Sequence, residues 1–567
     1  MNPAPPAPSP DAAADDGRDP PVMLDPMVHE SRAPSQWPVT PAIDITQSLR
    51  ALPGLHLRPS GGLGSYTEGR LRGGSARQMQ AQLNGVPLRR AGEEALNLAL
   101  LPSLALGAAH LDTASSHGLV GDLHLRVAPI ARNLQLGIGD FGARHLGAQT
   151  RRGHGLVAAQ YRSADNDFPL RNPLKPFDPA DPERRQTEPR QNADTRHASL
   201  LYSAPGWLAL AVDNREAIPN ARNSTNNRAK LSTQLLQIAT PAPGLDGSQW
   251  QWSRTEERYT DRTGQLALEP ADLRQRTISA GWDSADWHPV QRWSIDWSQF
   301  RATDAARPEV AQQVQRWRLS GQLQTPDVAS ATPTTATAGQ WSGLIGALVL
   351  GEDVHAPGNG ASHVSWELLP RAHLQYTTTL AVVQTRTQLS YRERAPTLFE
   401  KFGDRGLFRG NPQLRPERAL ALDLDLGRIN ALPLLRLYHR ELRDAITPQY
   451  NARGLGRSTN AGRARITGIS LEQTLALADP WTLHLRGDWL EARDRSDGPS
   501  RNRRLPGHPE WIVGTQLRWT HPRLQLRYAW HWDAGAFYDS PNLLRAPIVR
   551  QHDLHAVIPL AGGLRLT

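Results

Sequence analysis

Arginine is the side chain with the clearest chemistry in this sequence. Lysine and arginine together number 64, and only three of these residues are lysines. A guanidinium group binds a carboxylate or a phosphate through two parallel hydrogen bonds, so clustered arginines favour an anionic ligand. Binding of lipid phosphates and simple solubility are the alternative roles. Two polar segments, 447–464 and 493–509, contain the arginines that we predict to contact a ligand: Arg453, Arg457, Arg501 and Arg503.

Two further groups of charged residues are candidates for the same site. Arg89, Arg90 and Glu93 follow the sequence NGVPL. We predict that they contact a ligand if their loop faces the same side as the arginine-rich segments; on the opposite side they would not. A third polar segment, 395–416, supplies the remaining predicted ligand contacts: Asp404, Arg405 and Arg409.

Several other chemistries are excluded by composition. The chain has no cysteine, which rules out disulfides, thiolate metal sites and cysteine nucleophiles. Its net charge of +9 is spread over the whole length, whereas a nucleic-acid interface needs clustered basic residues. Four methionines and scattered histidines form no metal-binding pattern, and no motif combines a nucleophile, a base and a carboxylate. We predict no enzyme activity, no cofactor, no bound metal and no nucleic-acid partner.

The elements that must position these residues have the period of β-strands. Apolar residues occupy every second position in 481–489, and the same period recurs in 511–519 and 524–532. The links are alternately short, as at 520–523, and long, as at 493–509. Short turns on one side, long loops on the other and aromatic residues at strand ends are typical of a transmembrane β-barrel, in which only the lipid-facing side is apolar. We predict an all-β transmembrane fold, a large antiparallel β-barrel.

Composition divides the chain into three regions. Residues 1–40 are rich in Pro, Ala and Asp and have no periodicity, which is typical of a disordered arm. Residues 41–130 form a compact, glycine-rich segment, and residues 131–567 carry the alternating pattern. No run of about 20 apolar residues occurs in the sequence, so membrane-spanning helices are excluded.

Several motifs resemble those of one known family. Residues 391–417 read YRERAPTLFEKFGDRGLFRGNPQLRPE, residues 460–472 read NAGRARITGISLE, and residues 505–509 read LPGHP. Near the front, residues 52–88 read LPGLHLRPSGGLGSYTEGRLRGGSARQMQAQLNGVPL. In this order the motifs resemble TonB-dependent outer-membrane receptors. The resemblance implies a 22-stranded β-barrel in the bacterial outer membrane, with an N-terminal plug folded as a small mixed sheet inside its lumen.

The resemblance also implies function and partners. Such receptors take up scarce ligands with energy from a TonB-type protein, so we expect transport of an anionic chelate such as a ferric siderophore, by a monomer in contact with outer-membrane lipid and lipopolysaccharide. Cobalamin or another small nutrient, a degenerate receptor without transport, and, less favoured, a barrel enzyme or passive pore are the alternatives. The segment that looks like a TonB box comprises Val22, Met23, Leu24, Asp25, Pro26, Met27 and Val28.

Three positions within the plug-like segment bear on this expectation. Asn84 stands where the family normally has Asp. Arg70 and Arg72 are candidates for pairing with charges of the barrel lumen, either permanently or until transport releases them.

At the C-terminal end, the sequence given stops at Thr567, just after a strand begins. We therefore expect about 20 of the family's 22 strands, with an open seam between the first strand, near 132–141, and the last full one, 551–559.

Overall fold

A computed structural model gives the positions of most of the chain. No helix within the described part is long and apolar enough to cross a membrane. The described residues are 37–38, 45–88, 90–93, 95–113, 118–127, 132–172, 179, 186–220, 222–245, 248–264, 266, 270–284, 291–305, 311–325, 339–356, 361–380, 383–405, 408–427, 434–450, 456–559 and 565–566.

The described residues between 37 and 127 form a small unit that we call the plug. Its elements are β1 (Trp37–Pro38), α1 (Ile45–Leu49), β2 (Leu55–Pro59), β3 (Thr67–Leu71), β4 (Met79–Leu83), β5 (Val86–Pro87), β6 (Leu106–Asp112) and β7 (Gly121–Val127). The central sheet has the order β1-β6-β7-β4-β5, in which β4 and β7 run parallel and the other neighbours run antiparallel, while β2 and β3 form a separate hairpin. Short 3-10 turns occupy Ala76–Gln78, Ala91–Glu93, Leu98–Leu100 and Ser103–Ala105.

The rest of the described chain is a closed antiparallel barrel with twenty strands of seven residues or more. The long strands are β8 (Arg132–Ile138), β9 (Arg144–Arg152), β10 (Gly155–Ala164), β13 (Thr195–Ala204), β14 (Trp207–Ala217), β15 (Lys230–Pro241), β16 (Ser248–Asp261), β17 (Ala271–Ser284), β18 (Gln291–Asp304), β19 (Gln312–Gln324), β20 (Gln340–Ala356), β21 (Ala361–Leu380), β22 (Val383–Arg394), β25 (Glu417–Gly427), β26 (Leu434–Tyr450), β27 (Gly456–Ala478), β28 (Trp481–Asp494), β29 (Trp511–His521), β30 (Leu524–Ala534) and β31 (Val549–Pro559). The short elements are β11 (Pro169–Arg171), β12 (Thr187–Pro189), α2 (Leu398–Phe402), β23 (Asp404–Arg405), β24 (Phe408–Arg409) and β32 (Arg565–Leu566).

Alternation of side chains explains why these segments form a barrel wall. On β13 the residues are alternately buried and exposed over nine consecutive positions, because successive side chains of a strand point to opposite faces. Inward positions are largely polar, for example His197, whereas Leu200 and Tyr202 face outward. The three stretches predicted from their period of two lie within β28, β29 and β30, which confirms the strand prediction.

Two expectations about connections are wrong. Most of the predicted loop 447–464 is strand, because β26 and β27 pair as far as Tyr450↔Gly456. The predicted open seam is also wrong: the ring passes from β31 through β32 to β8, and β32 pairs with β31 at Ile558↔Leu566. The expectation fails because the two residues of β32 add to the edge of β31 and so join it to β8, although most of that edge has no strand partner among the described residues.

The plug lies inside the ring. Its leucines share one buried core with inward-facing barrel leucines, for example Leu83 and Leu101 with Leu201 and Leu210. Hydrogen bonds link it to widely separated strands: Asn84 Nδ2 to Ser203 Oγ at 2.9 Å, Gln237 Nε2 to Pro87 O at 2.5 Å, Thr195 Oγ1 to Leu63 O at 2.7 Å and Arg486 Nη2 to Leu55 O at 2.9 Å. Because β13, β15 and β28 lie in different parts of the ring, a unit that contacts all three must lie within the lumen.

Candidate functional site

Buried charges concentrate where the plug meets the barrel wall. On the plug loop 90–93, Glu93 accepts hydrogen bonds through Oε2 from Arg316 Nη1, at 2.5 Å, and from Arg318 Nη2. Both arginines face inward because they occupy alternate positions of β19. The side chain of Arg316 is only 1% exposed. One carboxylate of the plug therefore holds two arginines of the wall.

A second cluster joins the same loop to the nearby wall strands β16 and β17. Arg90 donates to Glu257 Oε1 on β16, with Nε at 2.8 Å, and its guanidinium lies 5.3 Å from the ring centroid of Tyr66. Arg405, on β23, donates to the other oxygen of Glu257 at 3.1 Å. The backbone N–H of Gly92 donates to Thr277 Oγ1 at 2.8 Å. Plug, wall and the segment 395–416 therefore meet at Glu257.

The segment 395–416 is folded rather than extended. Thr397 caps α2 by accepting from the backbone N–H of Glu400, while the Glu400 side chain accepts from the N–H of Thr397, a capping box. Arg394 binds Glu400 at 3.0 Å and Glu417 at 2.6 Å. Burial alone would raise the pKa of Glu400, but Arg394 and Arg77 hold it below its ordinary value. The ion pairs therefore keep this carboxylate charged.

Lys401 completes the attachment of α2. Its ammonium group contacts Glu352 on β20, and Arg316 donates to the same carboxylate through Nε at 2.9 Å. Arg316 therefore joins Glu93 of the plug to Glu352 of the wall. Because Arg316 and Lys401 share Glu352, a displacement of the plug loop would also alter the contacts that hold α2 in place.

The predicted ligand residues do not all come together. Arg90, Glu93, Asp404 and Arg405 belong to the plug-facing clusters, where Asp404 contributes its backbone oxygen to Gln275 at 3.5 Å. Arg409 lies directly beside Arg457 in a parallel bridge. Arg501 and Arg503 lie apart on the loop 495–510, where Arg501 approaches Asp497 at 3.5 Å and is 65% exposed. Arg89, Arg453 and the TonB-box-like residues 22–28 lie outside the described residues.

A cavity of about 230 Å³ lies between the plug and the wall formed by β16 to β22. Among the described residues, six arginines and four carboxylates line it, so the described lining has an excess of positive charge. Its size is below the roughly 300–1,000 Å³ of sites for drug-sized ligands. The lining carboxylates are Glu93, Asp283, Asp296 and Glu393, and the lining arginines are Arg77, Arg292, Arg316, Arg318, Arg371 and Arg394.

Sequence reasoning missed the wall partners of the plug. Arg72 donates to Asp423 on β25 at 2.5 Å, and Arg440 on β26 approaches the same carboxylate at 3.8 Å. Tyr438 lies beneath both guanidinium groups, at 5.6 and 5.7 Å. One sequence feature could have indicated such a partner: a charged residue at an inward position of a strand, such as Asp423 between Leu422 and Leu424. The sequence does not indicate which arginine pairs with Asp423.

Solved structures share this architecture at low sequence identity. The copper transporter OprC is 14% identical, with a TM-score of 0.67, over 93% of this chain and 88% of its own. The FrpB iron transporter from Neisseria meningitidis is 11% identical, with a TM-score of 0.64, over 92% of this chain and 90% of its own. The siderophore receptor PiuA from Acinetobacter baumannii is 11% identical, with a TM-score of 0.62, over 94% and 91%. At such identities the likeness shows the fold alone.

Sequence comparison gives the family. None of the curated proteins compared matches this chain. A sequence profile described as "TonB dependent receptor-like, beta-barrel" matches residues 135–551, which is about three-quarters of the chain. The resemblance drawn from the motifs is therefore confirmed, and with it the location in the outer membrane of Gram-negative bacteria. This chain belongs to the family of TonB-dependent receptors.

Proposed function

We propose that the protein imports an anionic metal chelate of the ferric siderophore class across the outer membrane, with energy from a TonB-type partner. The observation that carries the proposal is the contact of Glu93 with Arg316 and Arg318 at an arginine-rich cavity. An anionic ligand offers the same chemistry as the Glu93 carboxylate. Ligand and plug would therefore compete for the same two guanidinium groups.

Competition of this kind supports coupling between binding and plug movement. The cavity of about 230 Å³ is too small for a chelate unless the plug moves. Buried ion pairs are costly to break one partner at a time, at about 3–5 kcal/mol. A ligand that supplies a replacement anion to Arg316 and Arg318 would lower that cost. Work done on the plug by the TonB-type partner would then complete the opening of the lumen.

Residues 22–28 would be the segment to which the TonB-type partner binds in order to act on the plug. A TonB-box-like segment binds by adding a strand to the partner's sheet, where backbone hydrogen bonds supply the affinity. The names of the structural neighbours, an iron transporter, a siderophore receptor and a copper transporter, support metal or metal-chelate cargo in general. We favour an anionic chelate because, among the described lining residues, arginines outnumber carboxylates.

Uptake assays test the proposal. The intact chain, a variant lacking residues 22–28 and a control lacking the equally long segment 8–14 are expressed in a host without siderophore receptors of its own. Ferric hydroxamate, catecholate and carboxylate siderophores with radiolabelled iron serve as probes. We expect binding by all three proteins, and uptake by all but the variant lacking 22–28.

Three results would contradict parts of the proposal. Uptake that persists without residues 22–28 would indicate a passive pore. Binding without uptake by the intact chain would indicate a degenerate receptor. Failure to bind any of the three ferric complexes would exclude the proposed ligand class.

The arginines at the barrel rim provide a test of ligand charge. Replacing Arg453, Arg457, Arg501 and Arg503 together by Gln should weaken binding at least about tenfold at physiological salt, since each hydrogen bond to a charged group contributes about 1.5–3 kcal/mol. The matched control replaces four arginines on the outer face of the same rim. Unchanged affinity would exclude these arginines from the site. The control residues are Arg418, Arg443, Arg465 and Arg493.

A further inference from the structure

A cluster of charged residues covers the outer face of β16, β17 and β18 near one end of the barrel. Inward neighbours such as Thr255 and Glu257 are buried, whereas the charged residues between them point away from the lumen. The side chains of Arg258 and Arg274 are 56% and 58% exposed. We call this cluster the basic patch, and it consists of Arg254, Arg258, Arg274, Arg276, Arg301, Glu256 and Asp272.

Three arginines of the basic patch form ion pairs with its two carboxylates. Glu256 accepts from Arg254 at 3.2 Å and from Arg274 at 2.6 Å, on different oxygens. Asp272 accepts from Arg258 on both oxygens, at 2.8 and 2.7 Å. Each carboxylate oxygen thereby has an arginine partner, and five arginines against two carboxylates leave the patch with an excess of positive charge.

The excess lies at Arg276 and Arg301. These residues stand directly opposite each other on β17 and β18. On its other side Arg276 stands opposite Glu256 of β16, but the two oxygens of that carboxylate pair with Arg254 and Arg274. Arg301 donates to the neutral side chain of Gln313 at 2.7 Å, and no described carboxylate forms an ion pair with either Arg276 or Arg301. Like charges directly opposite on neighbouring strands are destabilising. An anion between the two guanidinium groups would remove that repulsion.

The position of the basic patch identifies the source of the anion. Strand directions alternate around the barrel, so the patch lies toward the same rim as the loop 495–510, the long-loop side that faces outward from the cell in such barrels. Four residues along β17 from Arg276, roughly 13 Å away, Ala280 lies in a cross-strand row with Trp252, Trp297 and Trp317. Tryptophans at this level are typical of the membrane interface.

We infer that Arg276 and Arg301 bind the phosphorylated headgroup of an outer-leaflet lipid, the class that includes lipid A. A phosphate matches two converging guanidinium forks in charge and geometry. The acyl chains of the same molecule would lie along the row of tryptophans. A soluble anion would use the arginines but not the apolar row, so both parts of the surface favour a lipid.

Native mass spectrometry of the purified full chain, with lipid A added to the detergent, tests the inference. The double variant Arg276→Gln/Arg301→Gln should bind lipid A at least about tenfold more weakly, because each basic residue near a lipid surface contributes about 1 kcal/mol. Dephosphorylated lipid A should bind the unmodified chain as weakly, and inorganic phosphate at the same concentration should not compete. Retention of lipid by the double variant would overturn the assignment.

The barrel provides a matched control for this experiment. Arg465 and Arg493 also stand opposite each other on neighbouring strands, but each has its own carboxylate, Glu441 at 2.7 Å and Glu491 at 2.6 Å. Arg465→Gln/Arg493→Gln should bind lipid A like the unmodified chain. Equal losses in the two double variants would show general surface charge and refute a specific site. If the first double variant does not fold, the single variant Arg276→Gln decides, with an expected loss of about fivefold.

Discussion

At the scale of single residues, the plug loop depends on a glycine. Gly92 has a φ of +67°, and a Cβ added there would lie 2.9 Å from the Cβ of Phe399 and 3.1 Å from its backbone nitrogen. Gly85 also has a positive φ, of +84°, but open space around it. Gly92→Ala should therefore destabilise the loop by about 1–3 kcal/mol more than Gly85→Ala does its own turn. Native-state hydrogen exchange measures both local opening energies; equal losses would show that Phe399 does not restrict the loop.

Arg72 gives a second test at this scale. Its side chain is 5% exposed and its partner Asp423 is a charged residue of the wall. Arg70 pairs instead with Glu68 on its own plug strand at 3.1 Å, and it contacts the barrel through a hydrogen bond to the backbone oxygen of Gly507 at 3.0 Å. Arg72→Met should increase hydrogen exchange in the β2–β3 hairpin by the equivalent of about 3 kcal/mol, because it leaves a buried carboxylate short of a partner. Arg70→Met should have a smaller effect. A larger effect at Arg70 would contradict the assignment of Arg72 as the main link.

Residue types and strand faces were predictable, but partners were not. The sequence places Arg72 in the plug and makes it a candidate for pairing with a lumen charge. Arg90 and Glu257 are 167 residues apart, and their contact depends on barrel stagger and on the depth of the plug in the lumen. Neither quantity is encoded in local periodicity. Asn84, which stands where the family has an acid, bonds to Ser203 of the wall for the same long-range reason.

At the scale of elements, the pairing of β6 with β7 brings two histidines together. His110 and His124 are directly opposite, with ring centroids 4.6 Å apart. Burial, and then the charge of His124, lowers the pKa of His110 from 6.5 to about 4. Between about pH 6.5 and pH 4, His110 therefore binds a proton in the unfolded plug but stays neutral in the folded plug. The contribution of His110 to the free energy of unfolding is fully present above about pH 6.5 and is lost as the pH falls toward 4.

Hydrogen exchange over 106–127, referred to intrinsic rates at each pH, measures this dependence. Protection should fall between pH 7 and pH 5 in the unmodified chain. His110→Phe keeps the ring stack and removes the titrating group, so its protection should change less with pH. The same pH dependence in both proteins would assign the effect to other groups.

Long elements were the easiest to predict and their ends the hardest. The strands β28 to β30 followed from strict alternation and aromatic ends. The segment 447–464 was predicted as one of the long loops that alternate with short turns. It continues the hairpin of β26 and β27, since strands above the membrane contact water on both faces and need no apolar positions.

At the scale of the whole molecule, class and strand number followed from the sequence, whereas closure did not. Alternation over hundreds of residues and the asymmetry of loop lengths are global signals, and they predicted a large antiparallel β-barrel. The number of about twenty strands came from the resemblance to the family, whose barrels have 22. Closure depends on a single two-residue strand, β32, between β31 and β8. The sequence predicted that a strand begins just before Thr567, where β32 lies, but two residues carry no signal of the strands beside which they will lie.

The central claim is that the plug closes a barrel that would otherwise be an open pore, and that contacts with the wall hold it there. Electrical conductance across planar lipid bilayers tests this claim without knowledge of the ligand. The full chain should form no steady open channel, whereas a variant lacking residues 1–127 should conduct as a wide pore, because barrels of this size leave an aqueous lumen. A full chain that conducts like the plug-less barrel, or a plug-less barrel that inserts but does not conduct, would contradict the account.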